Sequence, residues 1–293
     1  MRFNKFSQLL HENPEALIKL SYLVLRETLI DAEKELVQTS RKHANIFVDN
    51  GPHRWAAILF TQICVKCKSY LLVLPDTKAK RTKHHWDYTS VAALERSLHE
   101  TYLAFFYMCI DEINQSEWKF RWHLINLHDC CRREENVPKT TASDISQESP
   151  DIEEELRTRI REHPMFKELV SSSKKPEKKA KELLSGRNAF LLSLEEIAER
   201  AGYDRGAFKA RYNYLSNYSH GLPISFTRIG MDDRGRGYEN QCEVDLCKAS
   251  IIFVLTILCS AQDEMNELFD KLPPTIGNLT PDDLAIPQDE FKL

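Results

Sequence analysis

Ala93-Leu94-Glu95-Arg96-Ser97-Leu98-His99-Glu100-Thr101-Tyr102-Leu103-Ala104-Phe105-Phe106-Tyr107-Met108 is the stretch that decides the fold. From Leu98 onward it has no polar face, and a helix that is apolar all round is one surrounded by other elements. The pattern predicts a helix from about Tyr88 to Ile113 at the centre of an all-α, multi-helix bundle. Within it Arg96 and Glu100 stand four residues apart, on one helical face. A charge in such a helix is costly unless it is paired and hydrogen-bonded. Arg ahead of Glu is also the weaker order for a simple surface pair. The pair is therefore expected to serve the interior or a cleft. Truncating Glu100, and so leaving a buried Arg96 unpaired, is expected to cost about 3–5 kcal/mol.

Outward from this stretch the chain keeps reading as helix. One helix is expected from about Pro14 to Asp49, with Asn13 as cap and Pro14 in the first helical position. A second is expected from about His53 to Leu74, bounded by Gly51-Pro52 and Pro75, and a fourth from about Ser116 to Glu135. Pro138 to Pro150 (PKTTASDISQESP) is polar and turn-rich and reads as a flexible loop. Residues 151–192 read as a charged helical excursion, in which Lys174 to Lys181 is a solvated face or linker. Ser193 and Glu196 make a capping box, Gly202 suits a helix end, and a further helix is expected from about Asp204 to Ser219. A long apolar helix, about Val244 to Leu272, closes the fold. Its most apolar window, Ala249 to Ala261, is 13 residues long, short of the roughly 20 that span a bilayer. It reads as a core helix, and no membrane partner is expected. The expected organisation is a single helical domain over 1–272, with 138–150 as loop and 151–192 as excursion, then an irregular tail over 273–293.

Composition narrows the function classes. With 293 residues, 42% hydrophobic, the chain can bury a large core, and 9 Gly suit helices better than turns. The net charge of -4 argues against coating nucleic acid by bulk electrostatics, though a local basic patch is compatible with it. Met1 to Leu10 has no apolar h-region, and the 8 Cys fall mostly in apolar runs. Reduced thiols in a cytoplasm are expected. No Gly-rich phosphate loop, G-x-S-x-G, H-E-x-x-H or Glu-x-x-His pair occurs, so no cofactor is expected. Cys64-x-x-Cys67 is a single CxxC in an apolar helix, where a structural zinc site needs a second ligand pair. Cys130, Cys131 and His128 could supply one, but adjacent Cys residues diverge on a helix, so no metal is expected. His84 and His85, in a basic loop, read as solvated.

A second segment carries the remaining chemistry: Arg211-Tyr212-Asn213-Tyr214-Leu215-Ser216-Asn217-Tyr218-Ser219-His220-Gly221. Tyr212, Tyr214, Ser216, Asn217 and His220 offer donors and acceptors, and His220 falls at a helix end, near a cleft. This helix is expected to come to meet Arg96 and Glu100. Three motifs run in order along the chain: R-S-x-x-E-x-Y-L from Arg96, R-W-x-x-x-x-L-H from Arg121, and Y-x-x-L-S-x-x-x-H-G from Tyr212. Together they resemble a group of bacterial all-helical proteins of unknown function, over residues 87–110, 121–128 and 194–221. The resemblance implies a shared helical fold and a shared polar cluster, and no activity. By position it gives Arg96, Glu100, Arg121, Tyr212, Ser216 and His220 as polar binding residues. Should the cluster be catalytic, His220, Glu100 and Arg96 are the candidates on their own chemistry. A structural role stands beside this: the same groups would form a satisfied network that fixes helix packing.

Three function classes follow. The first is a helical binding or scaffold protein built on the Arg-Glu-Tyr-Ser-His cluster. The second is a metal-independent RNase of the HEPN type, whose pattern has four to six residues between an Arg and a His and is usually completed at a dimer interface. Arg211 and His220 have eight between them, whereas Arg121 and His128 have six and fit. In either pair His would be the acid or base and Arg would stabilise the phosphorane. The third is a helix-turn-helix DNA-binding regulator through residues 193–211, with Ala198 and Gly202 at the turn and Phe208 between the helices. Arg211 stands where that motif wants an apolar residue. Nucleic acid and protein are both open as partners, and an oligomer is compatible with each class.

Overall fold

The computed structural model describes residues 1–44, 46, 51–76, 85–136, 149–227, 235 and 237–271. The expected tail over 273–293 and most of the loop expected over 138–150 lie outside the described residues. So does most of the basic loop from Lys78, including His84. Among the described residues there are twelve α-helices and no strand, only one isolated antiparallel bridge between Trp86 and Gly237. The helices are α1 (Phe3–Glu12), α2 (Glu15–Ile18), α3 (Tyr22–His43), α4 (Gly51–Val73), α5 (Tyr88–Phe105), α6 (Gln115–Asn136), α7 (Ser149–Glu162), α8 (Pro164–Ser171), α9 (Pro176–Leu183), α10 (Leu194–Arg200), α11 (Arg205–Ser219) and α12 (Gln241–Asp270). A π-helical turn, Phe106–Ile110, extends α5.

The single helix expected from Pro14 to Asp49 is instead α2 and α3. Ser21 has extended backbone angles, and its hydroxyl accepts the Val24 amide, which starts α3 afresh. The described residues fall into two compact units, 1–111 with 194–271, and 112–193. The charged excursion expected over 151–192 belongs to the second unit, together with α6.

In the first unit α5 packs against α4, α11 and α12, and α3 packs against α4 and α12. Leu25, Leu29, Ala32 and Leu36 line the buried face of α3 at i, i+4, i+7 and i+11, and burying each Leu contributes about 1.5–3 kcal/mol. Both α4 and α12 are long and apolar enough to cross a membrane by length and composition. In this fold α12 turns Ile251, Val254, Leu255 and Leu258 into the bundle with no exposure at all, which is how a core helix behaves. In the second unit Phe120, Leu124 and Leu127 of α6 close a core with Leu156 and Ile160 of α7 and Leu183 of α9.

Candidate functional site

Glu95 and Arg96 are neighbours on α5, about 100° apart around the helix, and they point to different surroundings. The same holds for Arg211 and Tyr212 on α11. The two helices run antiparallel, since Tyr88 meets Tyr218 at 5.1 Å and His99 meets Phe208 at 6.1 Å. The result is a two-layered contact.

The inner layer is a buried ion pair. Arg211 Nε donates to Glu95 Oε1 at 2.7 Å and Nη2 to Oε2 at 2.5 Å. Ser250 Oγ of α12 donates to Glu95 Oε2 at 2.6 Å. Its one proton is thereby used, so Tyr70 OH of α4, 2.5 Å away, donates to Ser250. Glu95, Ser250 and Tyr70 have no solvent exposure. Burial raises the Glu95 carboxyl above its ordinary range, while Arg211 and Ser250 hold it down. Burial works against the charge on Arg211, and Glu95 more than offsets it.

His99 sits beside this pair. Burial, and then Arg211, lower its pKa to about 3, so the ring is neutral. Its Nε2 is 3.9 Å from Glu95 Oε1, too far for a hydrogen bond. A histidine depressed in the folded state takes up its proton first in the unfolded chain. Stability from His99 is therefore full above about pH 6.5 and declines by about 1.4 kcal/mol per pH unit as pH falls towards the folded value. Melting curves across pH 7 to 5 should show this slope, and His99→Leu should flatten it.

The outer layer faces solvent and is centred on Arg96. Its Nε donates to Glu100 Oε1 at 3.0 Å, Nη2 to Tyr212 OH at 3.0 Å, and Nη1 to Ser216 Oγ at 3.3 Å. Nη1 also meets His220 Nε2 at 2.9 Å. Tyr212 OH donates a hydrogen bond to Glu100 Oε1 at 2.7 Å, which closes a triangle. A guanidinium can only donate, so His220 Nε2 carries the lone pair and its proton is on Nδ1. Arg96 has committed four of its five N–H groups and lies 4.9 Å over the Tyr212 ring. Lys66 of α4 joins from the side, its Nζ donating to Thr101 Oγ1 at 2.5 Å and to the Ser97 carbonyl at 3.2 Å. Burial lowers its pKa, and the Glu100 charge pulls it back up. His220 is exposed, and the Arg96 and Glu100 side chains are 18% and 43% exposed.

The structure thus brings together Arg96, Glu100, Tyr212, Ser216 and His220. Glu100 is not the buried carboxylate that the pattern suggested. That place belongs to Glu95, and the large truncation cost moves with it. Arg121 lies in the second unit, fully buried, with Nε and Nη2 on Glu117 Oε1 at 3.1 and 2.7 Å. His128 bonds the Gly186 carbonyl at 2.9 Å. Cys64 and Cys67 are buried in α4, and burial takes the Cys64 thiol up to about 12. Among the described residues no group of three or more His, Cys, Asp and Glu is placed to hold a metal ion.

α10 and α11 do form a corner. Gly202 takes a φ of 85°, the Tyr203 amide bonds the Ala198 carbonyl at 3.0 Å, and Asp204 caps α11 through the Ala207 amide. Arg211, however, turns inward to Glu95. The exposed cations Arg205 and Lys209 face Glu199 and Glu195 at 3.2 and 3.9 Å.

Sequence reasoning missed Glu95, Ser250, Tyr70 and Lys66. Arg211 in an apolar position was the signal for the inner pair.

Fold and site together define a helical protein in which a buried ion pair fastens two antiparallel helices and a solvent-facing Arg–His cluster lies along the same contact. The chain belongs to DUF5677, a family of unknown function, whose model matches residues 53–237. No curated protein and no solved structure matches the chain. The matched span takes in Lys66, both polar turns of α5 and the whole of α11, and leaves out Ser250.

Proposed function

We propose that the outer layer of the α5–α11 contact is a binding site for a phosphate-bearing ligand. One observation carries this reading: the inner Glu95–Arg211 pair already fastens the two helices, so packing does not require a second, solvent-facing network. Partly exposed ion pairs of that kind add about 0–1 kcal/mol to stability. The outer layer instead holds a guanidinium rigid from three sides, leaving one of its N–H groups and the Nδ1–H of the exposed His220 uncommitted. One fixed guanidinium N–H beside an imidazole N–H suits the oxygens of a phosphate.

The same edge supports a chemical reading, favoured by the lone pair on His220 Nε2. If a ribose 2′-hydroxyl displaces Arg96 from that nitrogen, His220 can take its proton as the oxygen attacks the adjacent phosphorus. Arg96 then stabilises the charge that develops there. A 2′,3′-cyclic phosphate forms and the 5′-oxygen leaves, protonated by solvent. On this reading His220 would carry an RNase-like step. Arg121 supports no such step, because its guanidinium is sealed from solvent. DNA reading by α11 draws no support from a corner whose exposed cations are matched by Glu195 and Glu199. A reducing cytoplasm is the compartment we assign, supported by eight free thiols.

One experiment separates the readings. A short RNA oligonucleotide is incubated with the protein, and retention and cleavage are followed on gels. Retention lost in Arg96→Gln and His220→Ala, with melting temperatures within a few degrees of the parent, supports binding at this edge. Cleavage abolished by His220→Ala adds catalysis. Retention and cleavage that both persist in the two variants would remove the site from the function.

A further inference from the structure

Directly after His220 the chain makes a turn whose polarity is inverted. Ser225 is buried, whereas Leu222, Ile224 and Phe226 are exposed, Phe226 to 56%. A turn shaped by packing alone would bury the apolar side chains and leave the hydroxyl to water. Nor is the turn loose. Gly221 takes a φ of 59°, and the Leu222 amide donates to the Asn217 carbonyl at 2.9 Å, which folds the chain against the last turn of α11. Pro223 opens a short 3₁₀ turn, Pro223–Ser225. The Ser225 amide and hydroxyl both donate to the Leu222 carbonyl at 2.8 Å. The Phe226 and Thr227 amides donate to the Pro223 carbonyl at 3.1 and 2.8 Å. The three apolar side chains are thus carried on a backbone that is already ordered, so little backbone entropy is left to lose on binding.

The turn adjoins the Arg96 cluster. Asn217, its anchor, follows Ser216, whose Oγ meets Arg96 at 3.3 Å. His220, 2.9 Å from Arg96, stands two residues before Leu222. Three residues of chain reach at most about 11 Å, so Pro223, which holds the Phe226 amide, lies within that distance of His220. From this juxtaposition we propose that Leu222, Ile224 and Phe226 form a platform for the base of an RNA nucleotide whose phosphate lies at the Arg96–His220 edge. The inference rests on the phosphate reading of that edge and adds the substrate class, an unpaired nucleotide of a single strand. A nucleotide joins a charged phosphate to a flat base through one ribose, and here N–H donors and an apolar surface adjoin in the same way. The Phe226 ring stacks on the base, and Leu222 and Ile224 widen the apolar surface. Such stacking accepts any base, because each has a π-face. The occupant is a strand rather than a free nucleotide because the platform is open. Small ligands are held in concavities that enclose most of their surface, whereas a strand sums contacts from successive nucleotides on an exposed face.

The test measures binding of the full chain to two labelled short strands by fluorescence anisotropy. Both carry 2′-O-methyl ribose, so that neither is cleaved; one has bases and the other is abasic. The parent should hold the base-bearing strand about tenfold more tightly. In Phe226→Ser, which alters an exposed side chain, that preference should vanish while affinity for the abasic strand stays. Phe226→Trp, which keeps a ring, should retain it. Arg96→Gln should weaken both strands alike. Equal binding of the two strands by the parent, or a preference that survives Phe226→Ser, would overturn the platform; abasic binding that still falls in Arg96→Gln would then leave the phosphate reading standing. A preference lost in Phe226→Ser, with abasic binding unchanged in Arg96→Gln, would keep the platform and sink the phosphate reading. Binding of neither strand would overturn both. Displacement of the base-bearing strand by an equal concentration of adenosine 5′-monophosphate would overturn the choice of a strand.

Discussion

Replacing Glu95 with Ala should destabilise the protein by about 3–5 kcal/mol, because it leaves Arg211 charged, largely buried and without its carboxylate. The same change also strips the acceptor from Ser250 Oγ, which donates a hydrogen bond to Glu95 at 2.6 Å, with Tyr70 next in the chain. A chain of buried hydrogen bonds then loses its terminal acceptor. Urea unfolding followed by circular dichroism reads the effect as a lower midpoint. Glu95→Leu with Arg211→Leu should recover much of the loss, since removing both partners abolishes the unpaired charge. A single variant that unfolds at the parent's midpoint would mean that water reaches Arg211. The contrast with Glu100 is the useful control: Glu100→Ala should cost no more than about 1 kcal/mol, because its side chain is 43% exposed and Arg96 keeps Tyr212, Ser216 and His220.

Gly186→Ala is expected to have the next largest effect, about 2–4 kcal/mol, from two sources that add. Gly186 has a φ of 63°, a conformation in which a Cβ is itself strained. That Cβ would also land on Cys131 Sγ, 3.0 Å from Cys131 Cβ and 3.2 Å from the Leu127 carbonyl oxygen. Leu127 is fully buried in the core of the second unit, so the backbone there has little room to yield. Cys131→Ala in the same chain should relieve the collision and leave the backbone strain, recovering part of the loss. Equal midpoints for Gly186→Ala and the parent would show that the turn after α9 opens freely.

The all-helical class was legible because apolar residues in the second half of α5 and in α12 recur around the helix, a pattern that suits a bundle interior. The meeting of α5 and α11 was legible for a related reason: a guanidinium and a carboxylate in such a helix need partners, and the Tyr-Ser-His segment offered them. Which carboxylate went inside was not legible. Glu95 and Glu100 are five residues apart, and helical periodicity does not say which direction faces α12 until α12 is in place. The i, i+4 rule favoured Glu100, whose partner is on its own helix, over Glu95, whose partner Arg211 is 116 residues away. Arg121 was grouped with the cluster through motif order alone, and order along a chain does not report that residues 112–193 form a unit of their own. The helix-turn-helix reading identified the corner at Gly202 correctly as local geometry. The residue that violated its pattern, Arg211, turned out to hold the inner ion pair.

That interruption of one unit by another has a consequence for biogenesis. On a ribosome, residues 112–193 emerge complete while the first unit still lacks α11 and α12. Glu95 is therefore synthesised 116 residues ahead of its counter-ion and 155 ahead of Ser250. The earlier-made half of the bundle is the one exposed to chaperones and proteases during translation, and pausing between codons 112 and 205 would lengthen that exposure without touching the finished protein.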